Sequence, residues 1–218
     1  MSACSGDLSA LDPAGPSAQS IATLWWVMLW GAMAIFVPVL GLILLAVFRP
    51  GFASSIPAKN WILWGGLVMP TVVLTALVTF ALFQGERLLA KPLATAPLKV
   101  TVDARQWAWD FSYPDADLNG VTKVLHIPAG QPVDILVTSS DVIHSFWVPR
   151  LGGKIDAIPG HTNTIRLQAD RPGTYHGICA EFCGTGHSNM PFTVIAHEPE
   201  NYDAALRQSI ETEGANGG

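Results

Sequence analysis

The segment from Cys179 to Met190 concentrates metal-binding side chains in twelve residues. It holds the thiols of Cys179 and Cys183, the imidazole of His187 and the thioether of Met190. This combination of soft donors suits copper, whereas Ca²⁺ and Mg²⁺ prefer oxygen ligands. A further strong donor must come from elsewhere in the chain, and His144, which follows a predicted strand, is the candidate.

Several arrangements of these side chains are open on chemistry alone. Cys179 and Cys183 could form a disulfide in an oxidising compartment, but this leaves His187 and Met190 without a role. Zinc could be bound by the two cysteines, His187 and His144, with Met190 idle. A mononuclear blue-copper site uses one thiolate, whereas two are present here. Two thiolates that bridge two copper ions, each ion with its own histidine, would use every donor.

The composition points to a membrane protein or a membrane-anchored one. Half of the 218 residues are hydrophobic, 13% are charged, and the mean hydropathy is +0.34. Few charges and many apolar residues argue against a disordered chain. A net charge of −5 argues against a nucleic-acid-binding protein, so no nucleic-acid partner is expected. Three cysteines are too few for a small scaffold held together by disulfides.

Two runs without charge or histidine predict a transmembrane hairpin over residues 24–90. They are Leu24–Phe48, with 25 residues, and Trp61–Gln84, with 24. As helices of about 36 Å, both exceed the hydrocarbon core of about 30 Å. Tryptophans cluster near both starts, where their rings favour the headgroup level. Buried helices in a soluble bundle are the alternative, but roughly 120 residues of soluble domain could not cover two such helices.

The charges next to the helices predict the orientation. The linker from Arg49 to Lys59 carries two bases and no acid, whereas the segment before Leu24 carries two acids and no base. The positive-inside rule therefore places the linker in the cytoplasm and both chain ends outside. We expect an extracytoplasmic segment over residues 1–23, a periplasmic domain over 95–200 and a C-terminal tail over 201–218. The predicted location is a bacterial-type inner membrane.

The first residues resemble the end of a lipoprotein signal peptide, because small residues precede Cys4. No apolar run precedes Cys4 in the sequence, as such a peptide requires. Lipidation of Cys4 and a free thiol at this position are both open.

The sequence of the external domain predicts several short strands. Apolar residues alternate with polar ones in several segments, including Trp107, Trp109, Phe111 and Tyr113, and turn residues separate the segments. This spacing is typical of an antiparallel sandwich or barrel. The tail predicts a short helix after Asn201, followed by disordered Gly and Asn residues.

The ligand spacing and its flanking motifs form a specific pattern. The ligand pattern is His144…Cys179-x-Glu181-x-Cys183-x-x-x-His187-x-x-Met190. The flanking motifs are Gln106-Trp107-x-Trp109, Asp141-Val-Ile-His144-Ser-Phe, Lys154-x-Asp156 and Arg171-Pro-Gly-x-Tyr175. Together they resemble the CuA-containing subunit II of cytochrome c oxidase, over about residues 20–197. The resemblance implies an N-terminal two-helix transmembrane hairpin plus an all-β cupredoxin-like Greek-key sandwich.

The resemblance also implies a ligand set for two copper ions. Cys179 and Cys183 would bridge the ions, and His144 and His187 would each be a terminal ligand of one ion. The carbonyl of Glu181 and the sulfur of Met190 would complete the CuA site. The Glu181 side chain would help to bind Mg²⁺ or Mn²⁺ shared with subunit I.

Further roles implied by the resemblance concern the partners. Trp107 would be the point at which electrons from cytochrome c enter. By their charge, Asp115, Asp117 and Asp141 would either attract that basic protein or form an ordinary solvated surface. Trp109 is instead expected in the core. The chain would be the electron-input subunit of an oxidase whose subunit I carries the haem and reduces O₂ to water, coupled to proton translocation. Subunit III is a further expected partner.

The sequence departs from the family pattern at one position, and two other functions are open. Trp61 to Pro70 contains no carboxylate, although family members often carry a Glu there near a proton path. Subunit II of a quinol oxidase keeps the fold but lacks the copper ligands, and a membrane-tethered copper carrier would need neither Glu181 nor Trp107. The remaining histidines lack neighbouring donors in the sequence and are not expected to be ligands: His126, His161, His176 and His197.

Overall fold

The computed structural model describes residues 4–49, 51–52, 56–86, 89–90, 93–114 and 120–216. The predicted docking residues Asp115 and Asp117 lie outside the described residues. The chain divides into two compact units, one formed by Thr23–Arg87 and the other by Met1–Ala22 with Leu88–Gly218.

The smaller unit contains most of one long apolar helix and all of a second. Helix α1 covers Pro16–Phe48 and helix α2 covers Ala58–Glu86, and each is long and apolar enough to cross a membrane. Helix α1 begins earlier than its uncharged run, since Pro16 fits the first helical position and lacks an amide hydrogen that would need a partner. The apolar spans of both helices expose their side chains, as lipid-facing helices do.

Helix α2 changes its hydrogen-bonding pattern before Pro70. The stretch Trp61–Val68 is π-helical, and the amide of Met69 donates to the Trp64 carbonyl five residues back. Pro70 has no amide hydrogen, so the regular ladder is interrupted at this turn. The hydroxyl of Thr71 donates to the Leu67 carbonyl at 2.7 Å, which satisfies a polar side chain on an apolar helix.

The larger unit is a sandwich of two five-stranded sheets. The strands are β1 Leu98–Arg105, β2 Ala108–Ser112, β3 Val121–Thr122, β4 Val124–Pro128, β5 Val133–Ser139, β6 His144–Trp147, β7 Lys154–Ala157, β8 Asn163–Leu167, β9 Gly173–Cys179 and β10 Pro191–His197. One sheet has the order β3-β2-β1-β5-β8 and the other has the order β4-β10-β9-β6-β7. Strands β1 and β5 pair in parallel, as do β4 and β10, and the remaining pairs are antiparallel.

The alternating residues of the strands fill the space between the sheets. Val100, Val102 and Phe111 on one sheet and Phe146 and Val194 on the other are fully buried in one continuous core. Two apolar helices and a β-sandwich therefore confirm the predicted fold class. Because the core forms at the centre of the sandwich, the ends of the strands remain free to carry a site.

The strand predicted from Trp107 begins one residue later. Trp107 lies in the turn between β1 and β2 with 42% of its surface exposed, whereas Trp109, Phe111 and Tyr113 point into the core. The alternation of apolar and polar residues includes Trp107, which lies in the turn, so this pattern alone could not locate the start of the strand. Trp109 is 3% exposed, in agreement with the expectation of a core residue.

The tail is more ordered than expected. Helix α3 spans Tyr202–Asn216, so the helix expected after Asn201 is confirmed, but it is longer than expected and includes Gly214 and Asn216. Tyr202 and Leu206 are buried, and Ile210 also packs against the core. Side chains four residues apart share one helix face, which explains why this weakly apolar sequence forms a docked helix.

The residues before the first apolar run also belong to the sandwich. The amide of Ala14 donates to the Arg150 carbonyl at 2.7 Å, and the amide of Asp170 donates to the Ala14 carbonyl at 2.8 Å. The Arg150 guanidinium lies 3.1 Å from the Asp12 carboxylate and stacks 5.6 Å from the Tyr175 ring centre. The N-terminal segment is thus held on the loop that follows β6.

Candidate metal centre

Adjacent strand ends bring the predicted donors together. His144 opens β6, and Cys179 closes β9, which pairs with β6 so that Phe146 lies opposite Cys179. The loop between β9 and β10 carries Cys183 and, in a short 3₁₀ turn, His187. A site built on the ends of paired strands is held by the rigid sheet rather than by a loop alone.

Each thiol faces a different histidine. The Cys179 sulfur lies 3.9 Å from His144 Nδ1, and the Cys183 sulfur lies 3.7 Å from His187 Nδ1. The two sulfurs are 3.8 Å apart. The ligand atoms of His144, Cys179 and Cys183 all lie within 4.8 Å of one another, and all three residues are buried. The donors therefore form two thiol–imidazole pairs that meet at the sulfurs.

Two weaker donors complete the group. The Met190 sulfur lies 3.8 Å from the Cys183 sulfur, and the Glu181 carbonyl oxygen lies 3.2 Å from the Cys179 sulfur. Met190 is buried, whereas the side chain of Glu181 is exposed. Each thiol–imidazole pair thus has one additional weak donor beside it.

These distances fit metal coordination and exclude a disulfide in this structure. Metal–sulfur bonds of about 2.3 Å and metal–nitrogen bonds of about 2.0 Å separate two ligands of one tetrahedral ion by about 3.6 Å. The separations of 3.7 to 3.9 Å match this value. A disulfide requires about 2.05 Å, and both cysteines are free thiols.

Asp141 fixes the orientation of His144. Its Oδ1 lies 2.9 Å from His144 Nε2, while its Oδ2 accepts a hydrogen bond from the Gln106 amide at 2.7 Å. Burial would raise the pKa of Asp141, but hydrogen bonds from His144 and from the Gln106 and Val142 amides outweigh it and lower the pKa to about 2. A carboxylate behind a histidine ligand selects the tautomer that leaves the other nitrogen for a metal.

One of the two thiols is a weaker acid than a free cysteine. Burial, together with the hydrogen bond and the charge of Cys179, raises the pKa of the Cys183 thiol. Because metals bind the thiolate, metal binding at Cys183 releases a proton and weakens at low pH.

An exposed face borders the donors. Trp107 is 42% exposed and Phe182 is 76% exposed, and the Phe182 ring makes an edge contact with the His187 ring at 5.8 Å. A Cβ on Gly186 would overlap the indole of Trp107, so the indole lies directly on the loop that carries His187. Exposed aromatic rings beside a buried site are suited to contact with a protein partner.

The histidines that were not expected to be ligands lie elsewhere. His126 on β4 and His197 on β10 share a hydrogen bond of 2.8 Å between Nδ1 and Nε2. His161 is exposed, and His176 is half-buried at 4.0 Å from the Asp7 carboxylate. These contacts give the four side chains partners or solvent rather than thiols.

Sequence reasoning missed two contacts of the site. Asp141 was assigned only to docking, although its place three residues before His144 was a signal for a partner of the histidine. Gln106 donates from its side chain to the Cys183 carbonyl at 2.7 Å, 77 residues along the chain. Its position in the motif Gln106-Trp107-x-Trp109 was the available signal.

The amino-acid sequence is similar to those of known proteins. Residues 116–197 match the family model for the periplasmic domain of cytochrome c oxidase subunit II. Cytochrome c oxidase subunit 2 of Alkalihalophilus pseudofirmus is 35% identical over 94% of this chain and 63% of its own length. Quinol oxidase subunit 2 of Bacillus cereus is 31% identical over 96% of this chain and 75% of its own length. The chain belongs to the subunit II family of cytochrome c and quinol oxidases.

The match to several relatives covers only part of their length. The chain spans 63%, 33% and 32% of the lengths of three cytochrome c oxidase subunits. The solved periplasmic domain of cytochrome oxidase subunit II from Bradyrhizobium japonicum is 29% identical, with a TM-score of 0.49 over 55% of this chain and 99% of that domain. The family implies a copper protein, and the buried group of His144, Cys179 and Cys183 offers ligands of the kind that copper prefers.

Proposed function

We propose that this chain is the electron-input subunit of a cytochrome c oxidase, which accepts electrons from cytochrome c at a dinuclear copper centre and delivers them to haem in subunit I. Subunit I would reduce O₂ to water, coupled to proton translocation. The observation that carries the proposal is the pairing of each thiol with its own histidine, with 3.8 Å between the sulfurs. One metal ion would leave part of this symmetric donor set unused.

The proposed ligand roles follow the two pairs. His144 would be the terminal donor on the Cys179 side, with the Glu181 carbonyl as the weak donor. His187 would be the terminal donor on the Cys183 side, with Met190 as the weak donor. Copper held there would supply one-electron redox chemistry. The chain would keep water away, because His144, both cysteines and Met190 are buried.

The surroundings support a route for electrons in and out. The exposed indole of Trp107 packs on the ligand loop, which supports its role as the contact for cytochrome c. Asp115, Asp117 and Asp141 are proposed to attract that protein. The exposed carboxylate of Glu181 would bind Mg²⁺ or Mn²⁺ together with subunit I.

The assembly would be a bacterial inner-membrane complex with subunits I and III. The two apolar helices support a multi-pass anchor in the lipid bilayer. With the basic linker in the cytoplasm, both chain ends and the sandwich would be periplasmic.

The second candidate function is that of a quinol oxidase subunit, because three relatives at 31% identity carry that name. The following test separates the two functions. The complex containing the full chain is mixed with reduced cytochrome c, or with a quinol, in a stopped-flow spectrometer. Electron uptake from cytochrome c that disappears in a Cys183→Ser complex supports the proposal. Uptake from quinol alone, unaffected by this substitution, contradicts it and supports the quinol oxidase.

A further inference from the structure

Gln106 lies between the two halves of the candidate metal centre. It occupies the turn after β1 and makes hydrogen bonds from both its backbone and its side chain. The backbone amide donates to Asp141 Oδ2 at 2.7 Å, and the other oxygen of that carboxylate lies 2.9 Å from His144 Nε2. One side of Gln106 therefore reaches the segment that carries His144.

The side chain of Gln106 contacts the other half of the candidate metal centre, at Cys183. Its Nε2 donates to the carbonyl oxygen of Cys183 at 2.7 Å, in a half-buried environment. Without this bond the Cys183 carbonyl would lose its side-chain donor, so the bond constrains the backbone at Cys183. Gln106 thus connects the His144 segment with the Cys183 segment through two bonds that leave all the proposed ligand atoms free.

The same turn sets the position of the Trp107 indole. Gly184 follows Cys183 with a φ of +114°, and a Cβ there would lie 2.9 Å from Gln106 Nε2 and 3.4 Å from Trp107 Cζ2. Gly184 combines a left-handed backbone with this close approach, so only glycine fits both requirements. The loop and the Gln106–Trp107 turn therefore pack backbone against side chain.

We propose that Gln106 is a positioning residue that clamps the His144 and Cys183 segments together and fixes the indole of Trp107 on the ligand loop. This inference rests on the proposed function and specifies how its geometry is kept. Gln106 contacts no proposed ligand atom, so its loss would leave the ligand set complete but less rigidly held. Removal of such an outer contact typically weakens metal binding about 10- to 100-fold.

The first measurement is the rate at which the copper-loaded full chain, in detergent, loses copper to a chelator. Gln106→Met keeps the length of the side chain but removes the amide, and Gln106→Glu keeps the shape but replaces the donor with an acceptor. We expect both variants to lose copper about tenfold faster than the parent. Gln131→Met, at an exposed glutamine in the turn between β4 and β5, is the matched control and should behave as the parent does. Equal rates for Gln106→Met and Gln131→Met would overturn the proposal.

The second measurement needs no copper. The copper-free chain is labelled with 5-fluorotryptophan, and the resonance of Trp107 is identified by its loss in Trp107→Phe. In Gln106→Met this resonance should move towards the position of a solvent-exposed indole, while the resonance of Trp109 stays in place. An unmoved Trp107 resonance contradicts the clamp. If the parent chain takes up no copper, the proposed function fails, and the fluorine measurement then decides the role of Gln106 by itself.

Discussion

Two pairs of histidines in the same sandwich have different surroundings. His144 and His187 each face a thiol at 3.7 to 3.9 Å, and a carboxylate lies behind His144. His126 and His197 instead face each other, with 2.8 Å between ring nitrogens and stacked rings 5.1 Å apart. The neighbouring groups, rather than the imidazole itself, therefore determine what each histidine of the sandwich does.

The electrostatic consequences differ as well. Burial, and then the charge of His197, lowers the pKa of His126 to about 4, and burial lowers the pKa of His197. Within the described part of the chain, His126 Nε2 and the Tyr202 hydroxyl are buried and have no hydrogen-bond partner. This pair is therefore neutral and structural, whereas His144 beside the thiols is held by the carboxylate of Asp141.

The largest expected effect comes from removing a thiol. Cys183→Ser takes away the sulfur that lies near Cys179, His187 and Met190. We expect copper uptake by the full chain to fall from two ions to one or none, as measured by metal analysis after removal of free copper. His126→Gln, in the other pair, should keep both ions. Full copper uptake by the serine variant would remove the distinction between the two pairs.

The next effect concerns the exposed indole. Trp107→Leu removes the ring that packs on the ligand loop but no metal donor. We expect copper content to be unchanged and electron uptake from cytochrome c to fall about a hundredfold, because the partners are no longer held at the reacting distance. Stopped-flow kinetics measure the loss, and Trp107→Phe should recover part of it. A normal rate in the leucine variant would show that electrons enter elsewhere.

A smaller effect concerns stability at low pH. Since the pKa of His126 lies near 4 in the folded chain and near 6.5 when unfolded, only the unfolded chain binds this proton in that window. The free energy of unfolding should therefore fall as the pH falls from about 6.5 to 4.

His126→Gln tests this linkage in thermal unfolding of the full chain at pH 7 and pH 4. The pH-dependent loss should shrink by roughly 2 kcal/mol, since solvent screening reduces the full linkage. His161→Gln, at an exposed histidine, is the control and should leave the loss unchanged. An unaltered pH profile in His126→Gln would contradict a neutral, structural pair.

The smallest expected effect sharpens the role of Asp141. Asp141→Ala removes the acceptor behind His144, and we expect copper affinity to fall about tenfold, as measured by competition with a chelator. If Asp141 acts only in docking, copper affinity will be normal, and the rate of association with cytochrome c will instead lose part of its salt dependence.

The sequence was sufficient for much of the fold because two independent signals were strong. Uncharged runs of 25 and 24 residues have few explanations other than membrane helices. Alternating apolar residues from Val133 to Val137 and from Phe192 to Ala196 indicated strands whose inward faces the structure buries. The short spacing of Cys179, Cys183, His187 and Met190 made a metal site visible without any fold.

The remaining features depend on contacts between distant parts of the chain. Helix α3 is stabilised by the docking of Leu206 on the sandwich, which no local pattern reveals. The bond from Gln106 to Cys183 joins residues 77 positions apart. His126 and His197 are 71 residues apart in the sequence, and their pairing depends on the parallel register of β4 and β10. Such contacts follow from topology, which single-sequence patterns do not determine.

The dinuclear copper centre is tested most directly by a count of copper ions in the full chain, combined with electron paramagnetic resonance. The two thiol–imidazole pairs predict two coppers per chain, with one unpaired electron shared between both ions. One copper with a localised electron, or one zinc ion, would contradict the dinuclear centre and the electron-input function that depends on it.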